Sequence, residues 1–300
     1  MVSLKYNHES NIFTVKSLFD TEVHLDCIAV DLNTNLPFTA WWTKLSKNQF
    51  SDFSIADHNQ KFLQNIPGVE VNIYIDEDLI FSKKFQWGKL DNRYNFVCPK
   101  SELAYGSWHS LVYDDEYESK FKKEDIVYDL GANFGVYTML AVNNGVKQVY
   151  AFEPTPNNVK CLKETFKFDN NVTIFDKAIG GEDKKLKFYT QKHSVGNSIY
   201  DNGSIPIEVD CINLENFINT NQLQKPTIIK CDIEGSEYDF IESCTNEFFE
   251  GVHTLIFEFH NNDSNKVWNP TKKLLNLGYN IKMNKGNYID SPMSTFVARK

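Results

Sequence analysis

From Asp125 onward the chain repeats one pattern: a short apolar run, a turn carrying glycine or an acid, an amphipathic stretch, then another apolar run. Such alternation encodes a parallel sheet covered by helices, because each crossover needs a helix whose apolar stripe lies on the sheet. Strands are expected at Ile126–Asp129, Gln148–Phe152, Val172–Ala178, Thr227–Cys231 and Val252–Phe259. Helices are expected at about Gly135–Val142, Asn157–Phe168, Ser236–Cys244 and Asn269–Leu277. Pro156 suits a first helical position, Ser236 with Asp239 resembles a capping box, and Gly145 and Gly278 suit sites just past helix ends. Tyr279–Met283 and Ser294–Ala298, around Lys285-Gly286-Asn287, read as an antiparallel hairpin closing a doubly wound α/β sheet.

Before about Lys100 the pattern is different. Short alternating runs at Ile12–Val15, Val23–Val30, Pro37–Thr43, Gln49–Ile55, Glu70–Ile75 and Leu79–Phe85 are separated by turn residues, as in a small antiparallel sandwich. The expected organisation is therefore an all-β accessory domain over 1–100, a connecting helix or lid over 101–124, and the α/β domain over 125–300. The connecting stretch carries Tyr105, Trp108 and Tyr113. Trp41-Trp42, with Phe38, Phe50, Phe53 and Trp87, reads first as core and docking residues, and alternatively as a face on which sugar rings stack. Within 184–223 two strand-like runs, Leu186–Thr190 and Ile205–Cys211, flank a polar loop, His193 to Ser198, of the kind that meets substrates.

Composition narrows the partners. With 31 basic against 40 acidic side chains the net charge is −9, which repels a polyphosphate, so nucleic acid is not an expected partner. The six cysteines show no C-x-x-C and no paired spacing, which argues against a zinc cluster or a disulfide framework. No basic leader with an apolar run and no window of about 18 apolar residues occurs, so a cytoplasmic protein without membrane contact is expected.

The chemistry-bearing residues gather at strand ends, where ligands of open α/β sheets bind. The first group is Asp129-Leu130-Gly131-Ala132-Asn133-Phe134-Gly135. A dinucleotide fingerprint would place glycine at 131, 133 and 136, but this chain has Asn133 and Val136, which disfavours a nicotinamide-dependent oxidoreductase. What stands is a glycine turn led by a carboxylate able to face a cationic cofactor. The second group is Phe152-Glu153-Pro154, where Glu153 can accept hydrogen bonds from both hydroxyls of a ribose. The third, Asp176-Lys177-Ala178, would lie beside an adenine, with Asp176 or the backbone near Ala178 as its partner. The fourth, Ile229-Lys230-Cys231-Asp232-Ile233-Glu234-Gly235-Ser236-Glu237, delivers Asp232 and Glu234 to the mouth of the sheet. Acids near a helix start are also favoured simply by its dipole. The fifth is Glu258 and His260, on one side of a strand, where the histidine is a candidate base. Histidines at strand ends are, however, often structural.

Together these motifs resemble the FkbM-type family of class I S-adenosylmethionine-dependent methyltransferases. The matching text is Asp129 to Gly135, Phe152 to Pro154 and Ile229 to Glu237, over roughly the last 175 residues. The resemblance implies a Rossmann-like seven-stranded sheet with a reversed last strand, S-adenosylmethionine as cofactor, and O-methylation of a sugar, glycan or small metabolite. The cofactor-binding residues expected on this basis are Asp129, Gly131, Asn133, Gly135, Thr138, Glu153, Pro154, Asp176, Lys177, Ala178 and Asp232. Asp232, Glu234, Glu258 and His260 are the catalytic candidates, and any metal, for which Mg²⁺ suits oxygen ligands, would fall to Asp232, Glu258 and His260. A binding protein that keeps the fold without transfer is the other alternative.

Overall fold

The computed structural model describes residues 2–7, 12–32, 37–54, 68–76, 78–86, 119–190, 205–260, 264–283 and 293–300. The chain divides into two compact units, Met1–Asp114 and Asp115–Lys300. The connecting-stretch aromatics Tyr105, Trp108 and Tyr113, together with Trp87, the His193–Ser198 loop and the Lys285-Gly286-Asn287 turn, lie outside the described residues.

The first unit holds β1 (Val2–Asn7), β2 (Ile12–Ser17), β3 (Val23–Asp31), β4 (Pro37–Leu45), β5 (Phe50–Ser54), β6 (Gly68–Ile75) and β7 (Asp78–Gln86). They form two antiparallel sheets, β1-β2-β5 and β4-β3-β6-β7. Strand β2 alternates between half-buried and buried positions, so Phe13 and Val15 enter a core that they share with Leu4 of the same sheet and Leu25, Cys27, Val71 and Ile73 of the other. Strand β1 is not foreseen from the sequence; among its described residues Val2 and Leu4 face the core. Against the expectation of core aromatics, Trp42 is 71% and Phe50 62% exposed.

The second unit runs β8 (Ile126–Leu130), α1 (Val136–Asn143), β9 (Gln148–Phe152), α2 (Pro156–Thr165), β10 (Val172–Phe175), β11 (Ala178–Gly180), β12 (Lys184–Thr190), β13 (Ile205–Asn213), α3 (Leu214–Thr220), β14 (Ile228–Cys231), α4 (Glu237–Ser243), β15 (Thr254–His260), α5 (Ser264–Asn276), β16 (Asn280–Met283) and β17 (Met293–Arg299). Seven strands order as β10-β9-β8-β14-β15-β17-β16. Neighbours from β10 to β15 pair in parallel, and β17 runs antiparallel to both β15 and β16. The chain steps outward from β8 to β10 and returns on the other side of β8 as β14. That reversal of order opens a crevice above the carboxyl ends of β8 and β14. Tyr128, Phe152, Ile229, Phe240, Leu255 and Phe257 pack in one core around the sheet. No described helix is long and apolar enough to cross a membrane.

Four details depart from expectation. The strand read at Val172–Ala178 ends at Phe175, paired with Phe152, and Ala178–Gly180 instead joins a separate three-stranded sheet, β11-β13-β12. Helix α3 is additional, and Asn213 caps it by accepting from the Asn216 amide at 3.0 Å. Helix α5 begins at Ser264, with Pro270 in its interior, whereas a proline read from sequence marks a helix start. The Ser236–Asp239 capping box does not form: Ser236 makes no side-chain cap bond, and Glu237 takes its place by accepting from the amides of Ile233 and Gly235.

Candidate functional site

Two turns meet at the crevice. After β8 the chain passes through Gly131 (φ 72°), Asn133 (φ 52°) and Gly135 (φ 101°), a left-handed sequence that glycine accepts without steric cost. At Gly131 a Cβ would stand 1.7 Å from the Asp232 carbonyl oxygen, so the absence of a side chain allows the second turn to lie against the first. At Gly135 a Cβ would come within 2.6 Å of Leu162, which closes α2 onto the turn. The amides of Gly131 and Ala132 both bond the Phe152 carbonyl, at 3.0 and 2.9 Å, and so fix the first turn to the end of β9. The second turn follows β14, with Glu234 (φ 58°) and Gly235 (φ 117°) in the left-handed region. For glutamate this is a strained conformation.

Between these turns lies a cavity of about 540 Å³, counting the part open to solvent. One wall carries Glu153, Pro154, Thr155 and Asn158, and the other Asp232, Ile233, Glu234 and Ser236. Gly131 and Asn133 lie between the walls, and Lys177, Ala178, Ile179 and Phe188 complete the lining. Of the expected cofactor residues, the structure brings Gly131, Asn133, Glu153, Pro154, Lys177, Ala178 and Asp232 together here. Asp129, Gly135, Thr138 and Asp176 are not among the lining residues.

Asp129 corrects the expectation most directly, for its carboxylate is fully buried beneath the turn rather than facing the crevice. Thr138 donates to its Oδ2 at 2.7 Å, and Oδ1 accepts no hydrogen bond but lies 3.5 Å from the Lys230 ammonium. Burial raises the pKa of Asp129, opposed by the charge of Lys230. Lys230, itself buried, donates to the Gly131 carbonyl at 2.7 Å and approaches Asp232 at 3.6 Å, so one ammonium ties both turns together. Although burial opposes its charge, Asp232, Asp129 and Glu258 push its pKa upward. A lysine inside the apolar run Ile228-Ile229-Lys230-Cys231 is the signal that could have singled it out.

On the other wall, Glu153 is held by the amides of Asn133 (2.9 Å) and Thr155 (2.8 Å) and by Asn158 at 3.4 Å. Its two oxygens therefore have fixed directions, one set by the Asn133 amide and the other by the Thr155 amide. Burial raises its pKa and the hydrogen bonds oppose that rise. Asn158, not foreseen, also donates to the Asn133 side chain at 2.9 Å. It lies one turn into α2, on the face turned towards the glycine turn. Asp176 points its side chain outward, 69% exposed, and Lys177 pairs with Asp210 at 2.8 Å.

Behind Asp232 and Glu234 sits His260 at the end of β15. Its Nδ1 donates to Glu237 Oε1 at 2.9 Å, while Nε2 lies 3.4 Å from Glu234 Oε2 and 3.9 Å from Asp232 Oδ1. A carboxylate can only accept, so Glu237 fixes the proton on Nδ1 and leaves Nε2 turned towards the two wall carboxylates. Burial alone would lower the His260 pKa, but Glu237, Glu234 and Asp232 together raise it to about 10. Glu234 is pushed up to about 9, first by burial and then by Asp232, against the pull of His260. Among the described residues Asp232, Glu237 and His260 each offer a ligand atom within 4.8 Å of the others, a set that holds Glu237 where Glu258 was expected. At the opposite ends of the strands His253 bonds Asp125 at 2.8 Å, which also accepts from Thr227, a clip remote from the crevice.

Comparison with known proteins bears on what this crevice handles. Residues 129–283 match the family model described as the methyltransferase FkbM domain. A hexuronic acid methyltransferase of Haloferax volcanii is 22% identical over 142 residues, 46% of this chain and 57% of that protein. A protein named methyltransferase 1, of Beauveria bassiana, is 22% identical over 190 residues, covering 54% of this chain and 76% of its own length. This chain thus spans little more than half the length of the first of these relatives. Among solved structures, a precorrin-6y methyltransferase of Geobacter metallireducens aligns with a TM-score of 0.41 at 13% identity, over 69% of this chain and 94% of the other.

Proposed function

The chain belongs to the FkbM methyltransferase family, and from that premise we propose that it transfers a methyl group from S-adenosylmethionine to a hydroxyl oxygen of a sugar, glycan or small metabolite. The observation that carries this reading is the pairing of two unlike walls across one glycine turn. Glu153 presents a braced acceptor suited to a ribose diol, and Asp232 presents a carboxylate to a cationic group on the far side. The turn at Gly131, where a side chain would collide with Asp232, lets a ligand lie against bare backbone. When bound, the sulfonium supplies an activated methyl group and a good leaving group.

The protein's own contribution is alignment and proton removal. Held between the walls, the two reactants gain from orientation, worth about 7–11 kcal/mol in favourable systems. A sugar hydroxyl is a weak acid and needs a nearby base as the bond to carbon forms. Asp232 and Glu234 line the cavity and are the groups placed to touch such a hydroxyl, with His260 behind them. Glu258 is not a lining residue and acts through Lys230 and Glu234, whose charge states it influences. The hexuronic acid acceptor named for the Haloferax relative supports a saccharide acceptor for this chain.

A second reading concerns a divalent ion, favoured by the Asp232–Glu237–His260 grouping. Asp232, Glu237 and His260 would hold such an ion, Mg²⁺ or a more nitrogen-tolerant one, which would supply Lewis-acid polarisation to an acceptor hydroxyl. Chelator dialysis followed by Mn²⁺ titration, read by electron paramagnetic resonance, separates it from the metal-free route. Calorimetric titration of the full chain with S-adenosylmethionine and, separately, NAD tests the main reading. Heat from NAD alone would sink it, and S-adenosylhomocysteine formed with members of a glycan panel would identify the acceptor class.

A further inference from the structure

We propose that the first unit carries a saccharide-binding site of its own, on the outer face of β3 and β4, where the Trp42 indole stacks on one pyranose and Asp26 accepts from its hydroxyls. Register fixes the face. Leu25, Cys27 and Ala29 of β3 are buried in the core that the two antiparallel sheets share, so the alternate residues His24 and Asp26 point the other way. Residues directly opposite in an antiparallel pair lie on one face, and β4 sets Trp42 opposite Asp26 and Lys44 opposite His24. His24, Asp26, Trp42 and Lys44 thus stand together on two adjacent strands. On the other side of Asp26 its partner in β6 is Tyr74, which is buried and bounds the site there. The indole itself is 71% exposed, and the side chains of His24 and Asp26 are about half exposed. The imidazole lies 3.5 Å from the Asp26 carboxylate and meets the Trp42 ring in a T-shaped contact with centroids 5.7 Å apart. One side chain therefore touches both parts of the site and steadies them.

The chemistry of the face selects its occupant. A pyranose has one side made of C–H bonds, whose slightly positive hydrogens are drawn to the negative face of an aromatic ring. Its rim carries hydroxyls that both donate and accept. A carboxylate, with about four lone-pair sites, takes two neighbouring hydroxyls at once, and the Lys44 ammonium supplies donors beside it. An apolar protein surface fits this face poorly. Protein interfaces set their aromatic anchors in a dry centre depleted of charged residues, whereas docking on Trp42 would strip water from Asp26 and Lys44 without replacing its hydrogen bonds. A second exposed aromatic, Phe50, makes the contrast. It lies on the other sheet opposite Lys16, whose ammonium stands 5.2 Å from the ring centroid. One face of that ring is already covered by the protein's own cation, which leaves Trp42 the more open platform.

The test is calorimetric titration of the full chain with defined tetra- to hexasaccharides of glucose, galactose and mannose, in α and in β linkage. At least one is expected to bind, with its affinity lowered about tenfold or more in Trp42→Ala and again in Asp26→Ala. Both side chains are on an exposed face, so the urea midpoints of the variants should match that of the native chain. If Trp42→Ala shifts its midpoint, Trp42→Phe, which keeps a smaller ring, decides by binding with intermediate affinity. No binding of any oligosaccharide overturns the proposal. So does binding that is equal in the native chain and the variants, which would place the sugar elsewhere on the molecule. Sedimentation that shows self-association lost in Trp42→Ala, with no sugar bound, would assign the ring to a second copy of the chain and overturn it as well. The site stands apart from the methyltransferase reading: a chain that takes up S-adenosylmethionine but no oligosaccharide refutes the one and leaves the other intact.

Discussion

The two turns that meet at the crevice solve the same geometric problem by opposite means. The turn after β8 reaches the left-handed region mainly with glycine, at Gly131 and Gly135, and contributes bare backbone. The turn after β14 does so with Glu234 as well as Gly235, and contributes charge. The first makes room and the second carries chemistry. The difference teaches that strain is accepted where a side chain is needed and avoided where only proximity is needed.

Substitutions sharpen or break that contrast. The largest effect is expected at Gly131, where alanine must both hold a positive φ and displace the Asp232 backbone 1.7 Å away. Gly131→Ala should abolish measurable cofactor binding by calorimetry and cost about 3 kcal/mol of stability in urea unfolding. Retained binding would mean the turns can separate and the close approach is incidental. Next comes His260→Gln, expected to slow turnover about 10²–10⁴-fold while cofactor affinity changes about threefold or less. Unchanged turnover would remove the histidine from any proton path.

Glu234→Gly tests the second turn from the other direction. Relief of a left-handed glutamate should raise stability by about 1 kcal/mol while turnover falls. A loss of stability on that change would show that the strain has been misjudged. The smallest effect is expected from Ser236→Ala, within about 0.5 kcal/mol, because Ser236 makes no cap bond. Asn213→Ala, which removes a formed cap on α3, should cost about 1 kcal/mol when it and Ser236→Ala are compared by urea unfolding.

These contrasts also mark what the sequence discloses. Periodicity and glycine placement locate every strand of the large sheet, because apolar runs between turn residues have few other uses in a parallel sheet. The acids Glu153, Asp232 and Glu234 are legible for the same reason: each follows a strand within three residues, and strand ends meet at the crevice. For Asp129 the sequence does not give the side of the pleat, and the structure turns its carboxylate inward to Thr138 and Lys230. The role of Glu237 is not legible locally, since its bond to His260 joins residues 23 apart in sequence that only the fold brings together. The jog after Phe175 is likewise invisible locally, for it depends on Ala178–Gly180 finding Cys211–Asn213.

Strand β17 lies between β15 and β16 although it follows both in the chain. While a nascent polypeptide still lacks residues 293–299, β15 presents an unpaired edge and β16 has no partner in the sheet. The emerging protein must wait for its latest strand before sealing, an interval in which chaperone capture or self-association competes with completion.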